Sequence, residues 1–279
     1  MTKLGMINRL KVIKERDFGV YLDGEQLGEI LLPKSVVPPD CQVNDEIDVM
    51  VYLDSEDLLI ATTETPKVQV GQVACLKVVA NSPVGAFLDW GLKKDLLLPF
   101  NEQQNPVIEG ESVVVYAYID NSNRICASSK LNRYLDKTPP KYKPRQKVDL
   151  VIADRTDLGL KAVVNNSHWG MIFGADIFQP LRYGQCIDGF IKDVRPDGKI
   201  NLLHQQPGIG ALDALSVKIL AHLKLNNGVS PLSDKSDAEV ISRTFGVSKR
   251  KFKMAIGGLY KKQLISIEAD GIRLLDKQS

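Results

Sequence analysis

The chain has 279 residues, 44% of them hydrophobic, and 36 Lys and Arg against 34 Asp and Glu, for a formal net charge of +2. That length exceeds one small barrel and fits several small domains. The apolar fraction is that of an ordinary folded protein, and no apolar run approaches the ~18 residues of a membrane span. The start, Met1 to Met6, lacks the basic-then-apolar layout of a signal peptide, so a cytoplasmic location is expected.

A segment near the start is written twice, 66 residues apart and without a gap: Gly5, Leu10, Lys11, Val12, Gly19, Leu22, Asp23, Pro33, Val49, Tyr52, Asp54 and Ala61 recur as Gly71, Leu76, Lys77, Val78, Gly85, Leu88, Asp89, Pro99, Val115, Tyr118, Asp120 and Ala127. Fixed-period similarity means one structural unit built twice. Each copy reads as five short strands. The first has 6–14, 19–22, 29–32, 46–52 and 58–62, and the second has 72–80, 85–89, 95–98, 112–119 and 124–127. Alternating or short apolar runs cut by turn pairs such as Asp23-Gly24 and Ser82-Pro83 are the all-β pattern. Five strands in about 65 residues suit a small closed Greek-key barrel of the OB type.

A diverged third copy keeps the strand order over 148–153, 158–163, 169–173, 183–190 and 198–202, with Gly159 and Gly184 each 74 residues after Gly85 and Gly110. The tail changes character. Ala211–Leu223 has a helical pattern with Leu212, Leu215 and Ile219 on one face. Ser236 to Glu239 reads as a capping box opening a helix that Gly246 ends, and Ser248 caps a third helix to about Lys262. Strand-like Ile265 to Glu268 and Ile272 to Leu274 flank Asp270-Gly271, a hairpin turn. Three helices and a hairpin predict a winged helix-turn-helix. The predicted fold is therefore mainly β and multidomain: three tandem S1-like OB barrels over 1–64, 66–132 and 144–204, then a winged helix over 208–279.

The barrels resemble the S1 RNA-binding domain in specific runs. Phe18-Gly19-Val20-Tyr21-Leu22-Asp23 and Val84-Gly85-Ala86-Phe87-Leu88-Asp89 are similar to its second strand, Asn44 to Val49 and Glu109 to Val114 to its fourth, and Asp120 to Ser128 to its closing "D-x-x-x-R-I" strand. The ordered set of barrels plus winged helix resembles the CvfB (YitL) family of bacterial RNA-binding regulators. That resemblance implies single-stranded RNA as partner, bases stacking on aromatics of strands two and three, and basic side chains tracking phosphates. The first copy keeps both aromatics, Phe18 and Tyr21. The second keeps Phe87 and the closing-strand Arg124, expected on adjacent strands of one open face, with Val84 at the first aromatic position and Lys130 just beyond. The third has Lys161 at the second aromatic position and Lys199 at the Arg position. The family's strand-three His is absent from the first two copies, where Pro33 and Pro99 stand.

Charge is graded along the chain: net −7 over 1–64, 0 over 65–136, +4 over 137–206 and +5 over 207–279. Affinity for a polyanion comes mainly from Lys and Arg displacing counterions, so the C-terminal half is the better electrostatic footprint. Within it, the linker carries Lys141, Tyr142, Lys143 and Arg145, readable as a basic strap or as a solvated spacer. The third helix of the tail places Lys249, Arg250, Lys253 and Lys261 away from its apolar stripe of Phe252, Ile256 and Leu259. Its Gly257-Gly258 pair weakens the helix, and close backbone approach to another element or to phosphate would be one reason for it. Trp169 reads as a core residue or as an exposed stacking platform.

Four widely spaced cysteines offer no metal-site spacing, so no metal or cofactor is expected; Cys75, Cys126 and Cys186 fall in predicted strands and read as small buried hydrophobes. Three histidines and the absence of HxE, GxSxG, Walker or paired-carboxylate motifs argue against catalysis. Two rivals to RNA binding stay open: a transcription regulator reading DNA through the winged helix, and a scaffold whose barrels bind protein. The sequence leaves the oligomeric state open.

Overall fold

A computed structural model of the chain describes residues 1–54, 56–177, 180–204, 210–261, 263–268 and 271–275, with the side chains of 210–214 outside that description. Three five-stranded sheets close into barrels. The first joins β1 (Ile7–Arg16), β2 (Gly19–Asp23), β3 (Glu29–Pro33), β4 (Glu46–Leu53) and β5 (Leu59–Thr62) in the order β1-β2-β3-β5-β4. The second joins β6 (Val73–Ser82), β7 (Gly85–Asp89), β8 (Leu96–Pro99), β9 (Ser112–Ile119) and β10 (Ile125–Ser128), and the third β11 (Lys147–Thr156), β12 (Gly159–Val164), β13 (His168–Phe173), β14 (Cys186–Val194) and β15 (Ile200–Leu203). In each, a parallel contact between the third and fifth strands completes the ring: Leu31 with Ile60, Leu97 with Cys126, Gly170 with Ile200.

Two local devices recur in all three barrels. The long first strand shifts register at the same place, between Val12 and Lys14, Val78 and Ala80, and Ile152 and Asp154. Such a bulge adds the bend and twist that closure of a small sheet requires. The glycine opening the second strand is the other. Gly19, Gly85 and Gly159 have φ of 154°, 152° and 148°, and a Cβ there would lie 2.2, 2.3 and 2.1 Å from the carbonyl oxygens of Leu32, Leu98 and Ile172. Only a residue without Cβ lets the third strand come that close. Leu32, Leu98 and Ile172 are themselves fully buried, so the same contact seats the core.

The winged helix comprises α1 (Gly210–Leu225), β16 (Val229–Ser230), α2 (Ala238–Phe245), α3 (Lys249–Lys261), β17 (Ile265–Glu268) and β18 (Gly271–Leu274). Its core gathers Ile219, Leu223, Ile241, Phe252, Ile256, Leu259, Ile265 and Ile272, with Phe245 stacked on Phe252 at 5.2 Å. The hairpin is part of a three-stranded sheet, β16-β18-β17; two-residue β16 is too short to announce itself by alternation. The expected turn residue Asp270, the helix-end residue Lys262 and the side chain of Leu212 lie outside the described residues.

The capping expectation needs correction. Asp237, not Ser236, caps α2, its carboxylate accepting from Glu239 N at 3.1 Å, while Ser236 Oγ accepts from Ser233 N at 2.9 Å. A carboxylate also answers the positive end of the helix dipole, which a hydroxyl does not. The cysteine expectation holds for Cys126, which is buried, its thiol pushed up to about 12 by burial and by the Asp120 charge. Cys75 is half-buried, and Cys186 is exposed at the first residue of β14, where strand burial has not begun. Among the described residues, no helix is long and apolar enough to cross a membrane, and no three His, Cys, Asp or Glu side chains gather as metal ligands.

Glycine to alanine should have opposite effects at two positions. Gly85→Ala is expected to destabilise the second barrel by about 1–3 kcal/mol or more, because Leu98 O blocks the new methyl. Gly257→Ala is expected to stabilise the winged helix by about 0.5–1 kcal/mol, because nothing lies within 4 Å of the new Cβ. Urea unfolding followed by Trp90 emission for the first, and by far-ultraviolet circular dichroism for the second, checks both signs.

Candidate nucleic-acid interface

The stacking positions of the first barrel lie on its outside. Phe18 is exposed and Tyr21 half-buried, their rings edge to face at 6.2 Å, with Lys14 Nζ 4.6 Å from the Tyr21 ring. Lys14 is also paired with Glu29, so its charge is already answered.

In the second barrel, Phe87 and Arg124 line one groove of about 350 Å³, together with Trp90, Leu97 and Lys94. They are not on adjacent strands: β8 runs between β7 and β10, and Arg124 stands one residue before β10. The larger surprise is the partner of Arg124. Its Nε donates to Asp57 Oδ1 at 3.0 Å and its Nη2 to Asp57 Oδ2 at 2.5 Å, a two-point pair reaching across from the first barrel. That hydrogen bonding holds the Asp57 carboxyl below the usual carboxylate range. A planar guanidinium recognises carboxylate and phosphate with the same fork, so a carboxylate occupies the place expected for a phosphate. Lys94 Nζ donates to the Asp54 carbonyl at 2.7 Å across the same seam. Asp54 and Asp120 serve the turns themselves, each Oδ1 accepting two backbone N–H groups: Glu56 and Leu58, and Ser122 and Arg124. Lys130 Nζ reaches the Asn101 carbonyl at 2.8 Å.

The third barrel presents a groove of about 790 Å³. Its floor is Leu158, Trp169, Met171 and Phe173, and Lys161, Arg195 and Lys199 stand around it. Trp169 is half-buried, with Lys161 Nζ 3.8 Å from its ring centroid and its Nε1 donating to Asn132 Oδ1 at 2.8 Å. Arg195 and Lys199 share one carboxylate, Asp197, at 3.2 and 3.4 Å, so the pair keeps a net positive charge. Sequence reasoning found the two lysines here but missed Met171, Phe173 and Arg195. The signal was available: Phe173 pairs with Gly159 as Pro33 pairs with Gly19 and Pro99 with Gly85, so it holds the strand-three position.

The linker forms one wall of this groove through Lys137, Thr138, Pro139 and Pro140. It is anchored to the barrel rather than a solvated spacer throughout. Tyr142 turns inward, its hydroxyl 3.0 Å from Nδ1 of buried His168, whose Nε2 meets the Thr138 carbonyl at 2.8 Å. Arg145 N donates to Ile191 O at 2.7 Å. Lys141, Lys143 and Arg145 remain exposed on the outside of this anchored segment.

On α3, Arg250, Lys253 and Lys261 are exposed and Lys249 half-buried, with Asp234 3.4 Å from Lys253. Met254 and Tyr260 are exposed beside them. Among the described residues, a Cβ built on Gly257 or Gly258 would meet nothing within 4 Å, so crowding at that position does not call for glycine.

Residues 4–64 and 70–130 each match the S1 domain family, and residues 217–274 match the CvfB-like winged helix domain. The third barrel lies outside these matches and is identified by its strands. YitL of Bacillus subtilis is 28% identical over 275 residues, covering 90% of this chain and 87% of that one. Conserved virulence factor B of Staphylococcus saprophyticus is 26% identical over 292 residues, covering 98% and 95%. A solved multidomain protein with nucleic acid binding domains from Streptococcus pneumoniae aligns over 98% of both chains at 23% identity, with a TM-score of 0.41.

Removing the carboxylate should release Arg124. Asp57→Asn is expected to tighten binding of single-stranded RNA and to steepen its salt dependence by about one ion, whereas Asp57→Asn combined with Arg124→Ala should not. Anisotropy titrations of a labelled oligonucleotide at several salt concentrations check this; identical slopes for parent and Asp57→Asn would show that Arg124 takes no part.

Proposed function

We propose that this chain, a relative of the CvfB (YitL) proteins with S1 domains and a CvfB-like winged helix, is a non-catalytic single-stranded RNA-binding protein acting in post-transcriptional gene regulation. The observation that carries the reading is the groove of the third barrel, lined by aromatic and thioether side chains and by four cations, Lys137, Lys161, Arg195 and Lys199, against two carboxylates, Asp136 and Asp197. Bases are recognised by stacking on such a floor and the backbone by the cations around it. The groove sits in the part of the chain where net charge is positive, and α3 of the winged helix carries further exposed cations. In the first two barrels, the acidic first unit and the Asp57–Arg124 pair reduce what the same positions can contribute.

A second reading draws on α3 alone. In a helix-turn-helix this helix enters the major groove of DNA, and its cations are exposed here. The two readings separate on one comparison. Single-stranded RNA should bind the full chain more tightly than duplex DNA, with log affinity falling linearly as log salt rises. Arg195→Ala with Lys199→Ala should lower affinity and reduce the salt slope by up to about two, measured by anisotropy with single-stranded RNA, single-stranded DNA and duplex DNA side by side. Tighter binding to duplex DNA, lost on Arg250→Ala with Lys253→Ala, would replace the RNA reading by the DNA one.

A further inference from the structure

The second and third barrels enclose a cleft of about 400 Å³, separate from the open groove of the third barrel but meeting it at two shared lining residues, Lys161 and Trp169. Both volumes fall in the range of about 300–1,000 Å³ typical of small-ligand sites. The cleft differs in chemistry from the groove. Its rim carries the side-chain amides of Gln104, Asn105 and Asn132. Gln104 and Asn105 belong to the second barrel's loop after β8, and Asn132 to the 3-10 turn that follows β10. Asn132 Oδ1 already accepts from Trp169 Nε1, which leaves its amide nitrogen as a donor toward the cleft.

The position of the aromatic is equally unusual within this chain. In the first two barrels the stacking residue is on the second strand, Tyr21 and Phe87; in the third that place holds Lys161, and the large ring is on the neighbouring strand as Trp169. The ring is fixed at the barrel junction by two hydrogen bonds to the inter-barrel segment, Nε1 to Asn132 and its backbone N to Asp136 Oδ1 at 3.0 Å. Lys161 covers it as a cation over a π face. A cation held that way is exchangeable for another π-bonding group, and the released ammonium is then available to a phosphate.

Building on the RNA reading above, we propose that one nucleobase leaves the bound strand at this junction, displaces the Lys161 ammonium from Trp169, stacks there, and has its edge read by the amides of the inter-barrel cleft. Splayed-out bases stacked on aromatic rings and read along their edges are how proteins obtain sequence preference from single-stranded RNA. The cleft thus supplies a selective subsite next to a groove that binds without selection.

The test uses Trp169 as its own reporter. The chain has two tryptophans, and Trp90 is only 3% exposed within the second barrel. Titration of the full chain with single-stranded RNA should quench tryptophan emission, and Trp169→Phe should abolish that quench while retaining most of the affinity. Trp169→Ala should weaken binding roughly 10-fold or more. An oligonucleotide with one abasic position should lose affinity for the parent but not for Trp169→Ala. Because Trp169 packs in a seam, exposed Gln104→Ala provides a second variant that leaves the fold untouched; it should flatten the preference among homopolymers without changing the salt slope. Salt-dependent RNA binding with no quench, and with Gln104→Ala indistinguishable from the parent, overturns the subsite and leaves the RNA reading standing. Absence of RNA binding in the parent overturns both.

Discussion

Each barrel is small, and a domain of about 65 residues buries too little surface to be comfortably stable alone. The chain meets this constraint by letting neighbouring barrels share apolar surface. Met50 and Tyr52 of the first barrel sit in the second barrel's core cluster, with Tyr52 edge to face against Trp90 at 6.4 Å. Between the second and third, Val73, Val114, Leu131, Leu135, Val151 and Val163 form a buried seam of their own. Polar groups at that seam are paired across it, Val73 N with Asn166 Oδ1 at 2.8 Å and Val114 N with the Tyr183 hydroxyl at 2.9 Å. Adjacent barrels are therefore held against each other by the same burial that stabilises them.

The seams decide which surfaces stay open. At the first, the turn between β4 and β5 brings Asp57 against Arg124 and fills part of the second barrel's face. The equivalent turn position in the second copy is Asn123, with the same left-handed backbone (φ 61° and 60°) but no charge. That difference between repeats places a carboxylate of the first barrel on the second barrel's Arg124. At the other seam the linker walls the third barrel's groove without covering it, and the 3-10 turn lines the neighbouring inter-barrel cleft. Two repeats of one unit and a diverged third therefore offer three unequal faces.

The winged helix stands on different ground. Its core closes on itself, α1, α2 and α3 packing around Phe252 and the hairpin. The basic side of α3 is a consequence of that packing: Phe252, Ile256 and Leu259 face inward at helical spacing, which turns Arg250, Lys253 and Lys261 outward. The exposed basic surface here depends on one helix face, whereas the open surface of the barrels depends on the contact between two domains.

The strands, their recurrence and the helical tail were written in the sequence, because each shows in local alternation, helical spacing or the repeat itself, and the OB-type closure followed from five strands in so short a unit. Alternation marks a strand, a glycine marks the carbonyl that approaches it, and an i, i+4 stripe marks a helix face. The face on which Phe18, Tyr21 and Phe87 stand was legible for the same reason, since register along a strand fixes which side chains share a face. What the sequence did not contain was whether those side chains are available. Asp57 and Arg124 are 67 positions apart, and Trp169 and Asn132 are 37 apart. Tyr142 turns to His168 although linker composition reads as solvent-exposed. Charge counts treated Arg124 as a free cation, and only the packing of one barrel on the next placed a carboxylate on it. Periodicity encodes which way a residue points within its own element; what meets it there is set by domain contacts that leave no periodic trace.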